Sequence, residues 1–135
     1  MKRTLNTIII LVLSVGFFNA DLADLVNHEN KVAVIKFTTE VIDYGIVEQN
    51  SNGVRTFTFI NEGDAPLLIT KVKTSCGCTV PSYSKAPILP GESGELEIKY
   101  NTKKLGAFTK TVTVMSNSEG GNKILKIKGN IVAAK

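Results

Sequence analysis

Alternation of apolar and polar residues is the feature that most constrains the fold of this chain. In the segment 95–100, Leu96, Ile98 and Tyr100 alternate with three charged residues. Because successive side chains of a β-strand point to opposite faces of its sheet, this spacing predicts a strand with one face in a core and the other in water. Similar short runs fill the chain from Val32 onward, and no window has the spacing of an amphipathic helix.

Clusters of Gly, Asn and Pro separate these runs at intervals of about 8 to 12 residues, the spacing typical of strands in sandwiches and barrels. They include Asn52-Gly53, Pro90-Gly91 and the segment 116–122. We count seven to eight short strands and no crossover helix, so the strands must pair mainly antiparallel. The sequence therefore predicts an all-β protein of two facing sheets, with a closed barrel as the structural alternative.

Three segments carry more specific predictions. The segment 54–60 has apolar residues on both faces, which predicts a central strand. In the next run, Leu67 and Ile69 would point to one face of a regular strand and Val72 to the opposite face. We therefore expect a β-bulge near Thr70 and Lys71, which would bring all three to the same face. Alternation nearer the carboxyl terminus predicts the inward-facing residues Val112, Val114, Leu125, Ile127, Gly129 and Ile131.

The first 20 residues have the pattern of a signal peptide for export. Lys2 and Arg3 precede the apolar run 8–18, which is shorter than the roughly 20 residues needed to span a bilayer. We predict cleavage near Ala20, with an uncleaved anchor as the alternative. The predicted protein is periplasmic or secreted, with no integral membrane span in its mature chain, and is organised as a signal peptide at 1–20, a polar linker at 21–31 and a folded domain at 32–135.

The charge of the chain argues against binding to nucleic acid. The sequence has 16 Lys and Arg residues against 12 Asp and Glu residues, a formal net charge of +4. Removal of residues 1–20 takes away two basic residues and no acidic one, which leaves 14 against 12 and a net charge of +2. The remaining lysines are interspersed with acidic residues along the chain, so we expect no nucleic-acid partner.

Cys76 and Cys78, the two cysteines of the chain, stand one glycine apart. On a regular strand their Cα atoms would be roughly 6.5 to 7 Å apart with parallel Cβ atoms, so a disulfide requires Gly77 to turn the backbone. We expect such a bond to be strained and easily reduced. Three roles remain open: a structural pair, reduced or oxidised, at the edge of the core; a redox or intermolecular disulfide; and a metal site with Cys76 and Cys78 as soft ligands for Cu(I).

Further ligands and catalytic partners are scarce. Met115 is a third soft ligand if its strand passes the cysteines, and is otherwise core filler. His28 is the single histidine and falls in the predicted linker, so the folded domain completes neither a zinc site nor a nucleophile–histidine pair. We therefore predict no catalytic residues and no cofactor.

Six short motifs resemble a known bacterial family. They are Tyr44-Gly45-Ile46-Val47 and the segments 57–63, 66–69, 75–79, 87–92 and 114–117. In this order they resemble the bacterial domain-of-unknown-function family numbered fifteen seventy-three, over about Val41 to Val132. The Ser-Cys-Gly-Cys-Thr and Pro-Gly-Glu motifs are the most specific of the six.

The resemblance implies an immunoglobulin-like sandwich of seven to eight mostly antiparallel strands. The family is similar to domains of the ASPM, SPD-2 and Hydin group, to major sperm protein and to periplasmic pilus chaperones. The resemblance implies no established activity. Many members carry a lipid-anchor cysteine after the signal, which this chain lacks. We predict an exported, non-enzymatic module that binds a protein or another cell-envelope component through strand edges or loops. The alternative is a periplasmic thiol-redox or Cu(I)-handling protein that uses Cys76 and Cys78.

Overall fold

Eight β-strands and no helix make up the described part of the chain. The computed structural model describes residues 30–135. The predicted signal peptide and residues 21–29 of the predicted linker, including His28, lie outside the described residues. The described part accordingly contains no helix with the length and apolarity needed to cross a membrane. The strands are β1 (Ile35–Phe37), β2 (Val41–Glu48), β3 (Val54–Asn61), β4 (Ile69–Thr74), β5 (Thr79–Tyr83), β6 (Ser93–Tyr100), β7 (Gly106–Ser116) and β8 (Lys123–Val132).

The strands form two four-stranded sheets, which confirms the predicted all-β sandwich. Sheet 1 has the strand order β1-β3-β6-β5, and sheet 2 has the order β2-β8-β7-β4. Neighbouring strands are antiparallel except β2 and β8, which are parallel. Residues 38–40 carry the chain from β1 in one sheet to β2 in the other. Because the sheets are separate, the alternative of a closed barrel is wrong.

The inner faces of the sheets are filled by the residues that the alternation predicts. Leu96 and Ile98 of β6 are fully buried, and Tyr100 is nearly so. The predicted inward residues of β7 and β8 are buried opposite them, at Val112, Val114, Leu125, Ile127 and Ile131. Removal of this apolar surface from water, worth about 25 cal/mol per Å², is the main force that holds the two sheets together.

The position of β3 and the irregularities of β2 and β4 follow from local sequence. β3 lies between β1 and β6, as its two apolar faces predict. The register between β4 and β7 shifts between Ile69 and Lys71, which confirms the predicted bulge. A second bulge, between Asp43 and Ile46 of β2, is not indicated by the alternation. There Gly45 has a φ of +65°, which glycine adopts without the steric cost of a Cβ atom.

Asn61 is a fully buried polar side chain at the end of β3. Its Nδ2 donates hydrogen bonds to the carbonyl oxygens of Ala65 and Ile88, at 2.8 and 2.9 Å. Its Oδ1 accepts from the backbone N–H groups of Gly63 and Val34, at 3.0 and 3.3 Å. Because all four hydrogen-bonding positions of the amide are occupied, Asn61 ties separate loop segments to the sandwich without a desolvation penalty.

Substitution of Ile98 by Ala is expected to lower the free energy of unfolding by about 2 to 5 kcal/mol, because it leaves a cavity between the sheets. Ile124 in β8 is 64% exposed, so Ile124→Ala is a matched control with an expected change below about 0.5 kcal/mol. Urea denaturation of both variants measures these changes. A change below about 0.5 kcal/mol for Ile98→Ala would place this side chain outside the core.

Candidate functional site

The turn between β4 and β5 contains a disulfide between Cys76 and Cys78. Their Cα atoms are 5.3 Å apart, closer than on a regular strand, so the backbone turns here as the sequence analysis requires for this bond. β4 belongs to sheet 2 and β5 to sheet 1, so the turn also forms a corner between the sheets. Both cysteines are partly exposed and Gly77 is exposed, which leaves the turn accessible from solvent.

Hydrogen bonds hold this turn in place from both sides. The backbone N–H of Cys78 donates to Cys76 Sγ at 3.1 Å. Thr74 Oγ1 lies 3.0 Å from the carbonyl oxygen of Cys76 and 3.2 Å from that of Thr79. The N–H of Asn101 donates to the carbonyl oxygen of Cys78 at 2.8 Å. The position of the disulfide is therefore fixed by residues of both neighbouring strands and of the loop after β6.

Gly77 is not required by the conformation of the turn, contrary to the sequence analysis. Its φ lies outside the left-handed region, and a Cβ atom added to it would meet nothing within 4 Å. Gly53 is different, because an added Cβ would overlap the carbonyl oxygen of Tyr100. In the turn before β3 the left-handed residue is Asn50, with a φ of +66°, so Gly53 serves close packing there.

Gly77→Ala is therefore expected to keep the disulfide and to change the free energy of unfolding by less than about 0.5 kcal/mol. Gly53→Ala, the same chemical change at a crowded position, is expected to destabilise the protein by about 1 to 3 kcal/mol because it overpacks the contact with Tyr100. Urea denaturation together with free-thiol counting tests both. Loss of the disulfide in Gly77→Ala would contradict the geometry described for the turn.

A solvent-open cavity of about 450 Å³ adjoins the disulfide. We call it the Cys78 cavity; its lining includes Cys78, Val80, Lys99, Asn101 and Lys103. Lys99 reaches it because the register between β5 and β6 places Lys99 opposite Val80. Within residues 30–135 neither lysine forms an ion pair, so both ammonium groups are available to an anion. Sequence reasoning missed these two lysines, because only strand pairing brings them to the cysteines.

An aromatic cluster lies between the sheets next to the Cys78 cavity. The rings of Tyr100 and Phe108 are stacked at 3.8 Å, and Tyr44 meets Phe108 edge-on at 5.3 Å. The guanidinium of Arg55 lies 4.4 Å from the centre of the Tyr44 ring. Burial raises the pKa of Tyr44 to about 12, although Arg55 opposes this shift, and burial also raises the pKa of Tyr100. Both tyrosines are therefore uncharged at neutral pH, and Phe108 packs against Tyr100, which also lines the Cys78 cavity.

The raised pKa of Tyr44 makes the stability of the protein sensitive to alkaline pH. Its ordinary value is 10.0, so above pH 10 the unfolded chain loses this proton before the folded one does. The stabilisation is complete below pH 10 and is lost as pH rises towards 12. Tyr44→Phe should flatten this decline, while at neutral pH it costs about 1 kcal/mol through the lost hydrogen bond to the Gly53 carbonyl. Denaturation curves at a series of pH values test this, and parallel declines in both proteins would contradict it.

The structure does not bring Met115 to the cysteines. The β4–β7 register places Met115 opposite Lys71, whereas the N–H of Ser75 bonds the carbonyl of Thr111. Met115 is four residues further along the strand than Thr111, a distance of roughly 13 Å, so the interpretation of Met115 as a third ligand is wrong. Within residues 30–135 no group of three or more His, Cys, Asp or Glu side chains is placed to hold a metal ion. Cu(I) binding by the two cysteines stays a prediction, and it requires their reduction because thiolates are the ligands.

Several edges of the sheets are protected against pairing with a further strand. Because Asn101 donates to the Cys78 carbonyl, the alternation along β5 directs the main-chain groups of Pro81 away from β6, to the free edge. Proline has no N–H to offer there. At β1, the N–H of Ile35 is already bonded to Ser118 Oγ at 2.9 Å. The bulge in β2 interrupts a third edge.

The outward surface of sheet 2, which we call the sheet 2 face, combines lysines with exposed aliphatic side chains. β7 runs along its centre and contributes alternate threonines. The register places Lys126 of β8 between Thr111 and Val41, and Lys73 of β4 opposite Thr113. The charged and large aliphatic residues of this face are Val41, Asp43, Ile46, Glu48, Lys71, Lys73, Ile124, Lys126 and Lys128.

Solved structures with a similar fold include three of different kinds. A protein of unknown function from Porphyromonas gingivalis W83 has a TM-score of 0.65 and 17% identity, over 73% of this chain and 46% of that one. PapD-like domain 7 of human CEP192 has a TM-score of 0.65 and 8% identity, over 77% of this chain and 89% of that one. The Acinetobacter baumannii complex of the chaperone CsuC with the tip adhesion subunit CsuE has a TM-score of 0.52 and 12% identity, over 73% of this chain and 56% of that one.

These likenesses establish the immunoglobulin-like, PapD-like sandwich and nothing beyond the fold. The chain spans about half the length of the Porphyromonas gingivalis protein that it matches. Comparison with curated proteins finds no match. The family model DUF1573, described as a protein of unknown function, matches residues 35–131, which confirms the resemblance seen in the motifs. The chain therefore belongs to the DUF1573 family.

Proposed function

We propose that this protein is an exported, non-enzymatic binding module that holds a protein or another cell-envelope component on the sheet 2 face. The observation that carries the proposal is the exposure of large aliphatic side chains there. Ile46 is 77% exposed, Ile124 64% and Val41 46%. Exposed apolar side chains cost free energy in water, so a partner that covers them on this face gains free energy on binding.

The charges of the sheet 2 face favour an acidic partner. Four lysines project from it, at positions 71, 73, 126 and 128, against Asp43 and Glu48. Lys128 Nζ is 3.8 Å from Asp43 Oδ2, and among the described residues the other three lysines form no ion pair. The outward side chains of β6 in sheet 1 include Glu95 and Glu97 beside Lys99, so that surface is closer to neutral. Attraction between exposed charges is screened by salt, so the affinity should fall as ionic strength rises.

A face contact fits the structure better than strand addition does. Sequence reasoning offered strand edges or loops as the contact, but Pro81, the Ser118 hydroxyl and the bulge in β2 obstruct three of the four edges. A broad sheet face needs no unpaired main-chain groups. Binding there depends on side chains, which can be replaced without disturbing the core.

Export and a binding role are supported by sequence and fold. The basic residues and short apolar run at the amino terminus are typical of a secretory signal. One solved structure with a similar fold is the complex of the chaperone CsuC with the tip adhesion subunit CsuE. A similar fold does not imply that this chain binds the same partner, but it supports a role in binding another molecule.

Affinity capture with paired variants tests the proposal. The immobilised protein, the double variant Ile46→Ser/Ile124→Ser and the control Val80→Ser are incubated with an envelope extract. Val80 is also an exposed aliphatic residue, at 58%, but it lies in sheet 1. Each aliphatic side chain buried in an interface contributes about 1.5 to 3 kcal/mol. The amount of component captured by the double variant should therefore be at least about tenfold lower, while the control captures as much as the unaltered protein.

Equal capture by all three proteins would overturn the assignment of this face. Circular dichroism and urea denaturation of the variants serve as a check, because exposed substitutions should leave the fold intact. Repetition at high salt tests the contribution of the lysines. A capture yield that does not decrease with salt would contradict an acidic partner.

A further inference from the structure

We propose that the Cys76–Cys78 disulfide exchanges with a thiolate on another molecule, which attacks Cys78 Sγ from the Cys78 cavity while Cys76 Sγ leaves. This activity goes beyond the proposed binding function and does not depend on it. The substrate class is a thiol that carries negative charge close to its sulfur. Three independent features of the turn support the proposal.

The first feature is stabilisation of the leaving group. The backbone N–H of Cys78 donates to Cys76 Sγ at 3.1 Å. A hydrogen bond to a thiolate is stronger than one to a neutral sulfur, so this contact favours the state in which Cys76 has taken the electron pair. Because this hydrogen bond stabilises the departing sulfur, Cys76 is the better leaving group of the two.

The second feature is the approach to Cys78. The lining of the Cys78 cavity includes Cys78 and Gly77, but Cys76 is not part of it. Gly77 has no side chain, and a Cβ added there would meet nothing within 4 Å, so the path past the turn is open. The cavity of about 450 Å³ has room for the end of a peptide or a small thiol.

The third feature is the charge of the cavity. Lys99 and Lys103 both line it, and within the described residues neither is neutralised by a carboxylate. The attacking species is a thiolate, so two ammonium groups raise its local concentration and favour thiols with an additional anionic group. The β5–β6 register brings Lys99 beside the disulfide, and Lys103 comes from the loop after β6.

The exchange balances without any further oxidant. The incoming thiolate forms a bond to Cys78 Sγ, the Cys76–Cys78 bond breaks, and its electron pair passes to Cys76 Sγ. The Cys78 N–H donates a hydrogen bond to the resulting thiolate. Cys76 is thereby reduced to a thiolate, the incoming sulfur is oxidised to its half of the mixed disulfide with Cys78, and no proton must be transferred. Cys76 Sγ stays next to the mixed disulfide and can attack it in the reverse direction, so the product is a reversible covalent link to the thiol-bearing molecule.

Stability alone gives little reason for this bond. The two cysteines are separated by a single residue, so the bond closes a very short loop and removes little conformational freedom from the unfolded chain. The turn is also held by the hydrogen bonds of Thr74 and Asn101, which do not involve sulfur. Opening of the disulfide is therefore compatible with a folded protein.

The test uses the full chain purified without reductant. Intact mass and thiol counting first establish that the disulfide is present. The protein is then mixed with glutathione, which is anionic, or with cysteamine, which is cationic, at matched thiolate concentrations. Reactions are quenched with acid at early times, and the position of the adduct is determined by peptide mapping. We expect the adduct on Cys78 and a higher rate constant for glutathione.

Paired lysine variants separate cavity charge from overall charge. In Lys99→Gln/Lys103→Gln, the ratio of the glutathione rate constant to that of cysteamine should fall at least about threefold. The control Lys126→Gln/Lys128→Gln has the same change in net charge on the sheet 2 face, and its ratio should be unchanged. Ile46→Ser/Ile124→Ser should also react like the unaltered protein, so failure of the binding function and failure of the exchange are distinguishable.

Three results would overturn the proposal. One is a protein with two free thiols after purification without reductant. Another is an adduct that forms mainly on Cys76, because the amide hydrogen bond would then not determine the leaving group. The third is an unchanged rate ratio in the cavity variant, or an equal decrease in both lysine variants, because either would remove the role of Lys99 and Lys103.

Discussion

The burial of one apolar face of each sheet against the other is the constraint on which the rest of the structure depends. Side chains alternate along a strand, so a slip of one residue would turn the inner set outward. Once Leu96 and Ile98 face the core, Lys99 must face outward beside Val80. Burial of Leu125 and Ile127 likewise directs Lys126 outward. The two surfaces to which functions are assigned are thus consequences of how the core is packed.

The corner between the sheets converts this packing into a chemical site. β4 pairs with β7 in sheet 2, and β5 pairs with β6 in sheet 1, so the segment between them must turn sharply. The two cysteines occupy this turn, and the pairing of β5 brings Lys99 alongside it. Tyr100, next in β6, packs inward on Phe108 and anchors the strand from the core side. A reactive bond, two cations and a rigid support therefore meet where the chain changes sheets.

The sequence predicts the features that depend on residues near one another in the chain, such as the inward face of a strand. It does not predict which side chains meet across neighbouring strands, because that depends on strand order and register. The alternation of apolar and polar residues alone identified the inward face of β6. The break in that alternation after Ile69 located a bulge. The gathering of lysines on the sheet 2 face depends on which strands are neighbours, and that is decided by contacts distant in sequence. The same limit explains the error at Met115, whose strand pairs with β4 at a register the sequence does not reveal. Gly77 was assigned a conformational role from its residue type, whereas the turn forms without a left-handed φ.

A disulfide across a single residue changes chemistry more than stability. The chain-entropy model gives less than about 2 kcal/mol for so short a loop, against about 3 kcal/mol for a loop of 15 residues. The core does not include this turn among its fully buried side chains, and hydrogen bonds from Thr74 and Asn101 hold its backbone independently. The oxidised and reduced forms can therefore share one fold, since neither the sheets nor their packing requires the bond. A site with this property can gain and lose a covalent partner while the sheet 2 face remains in place.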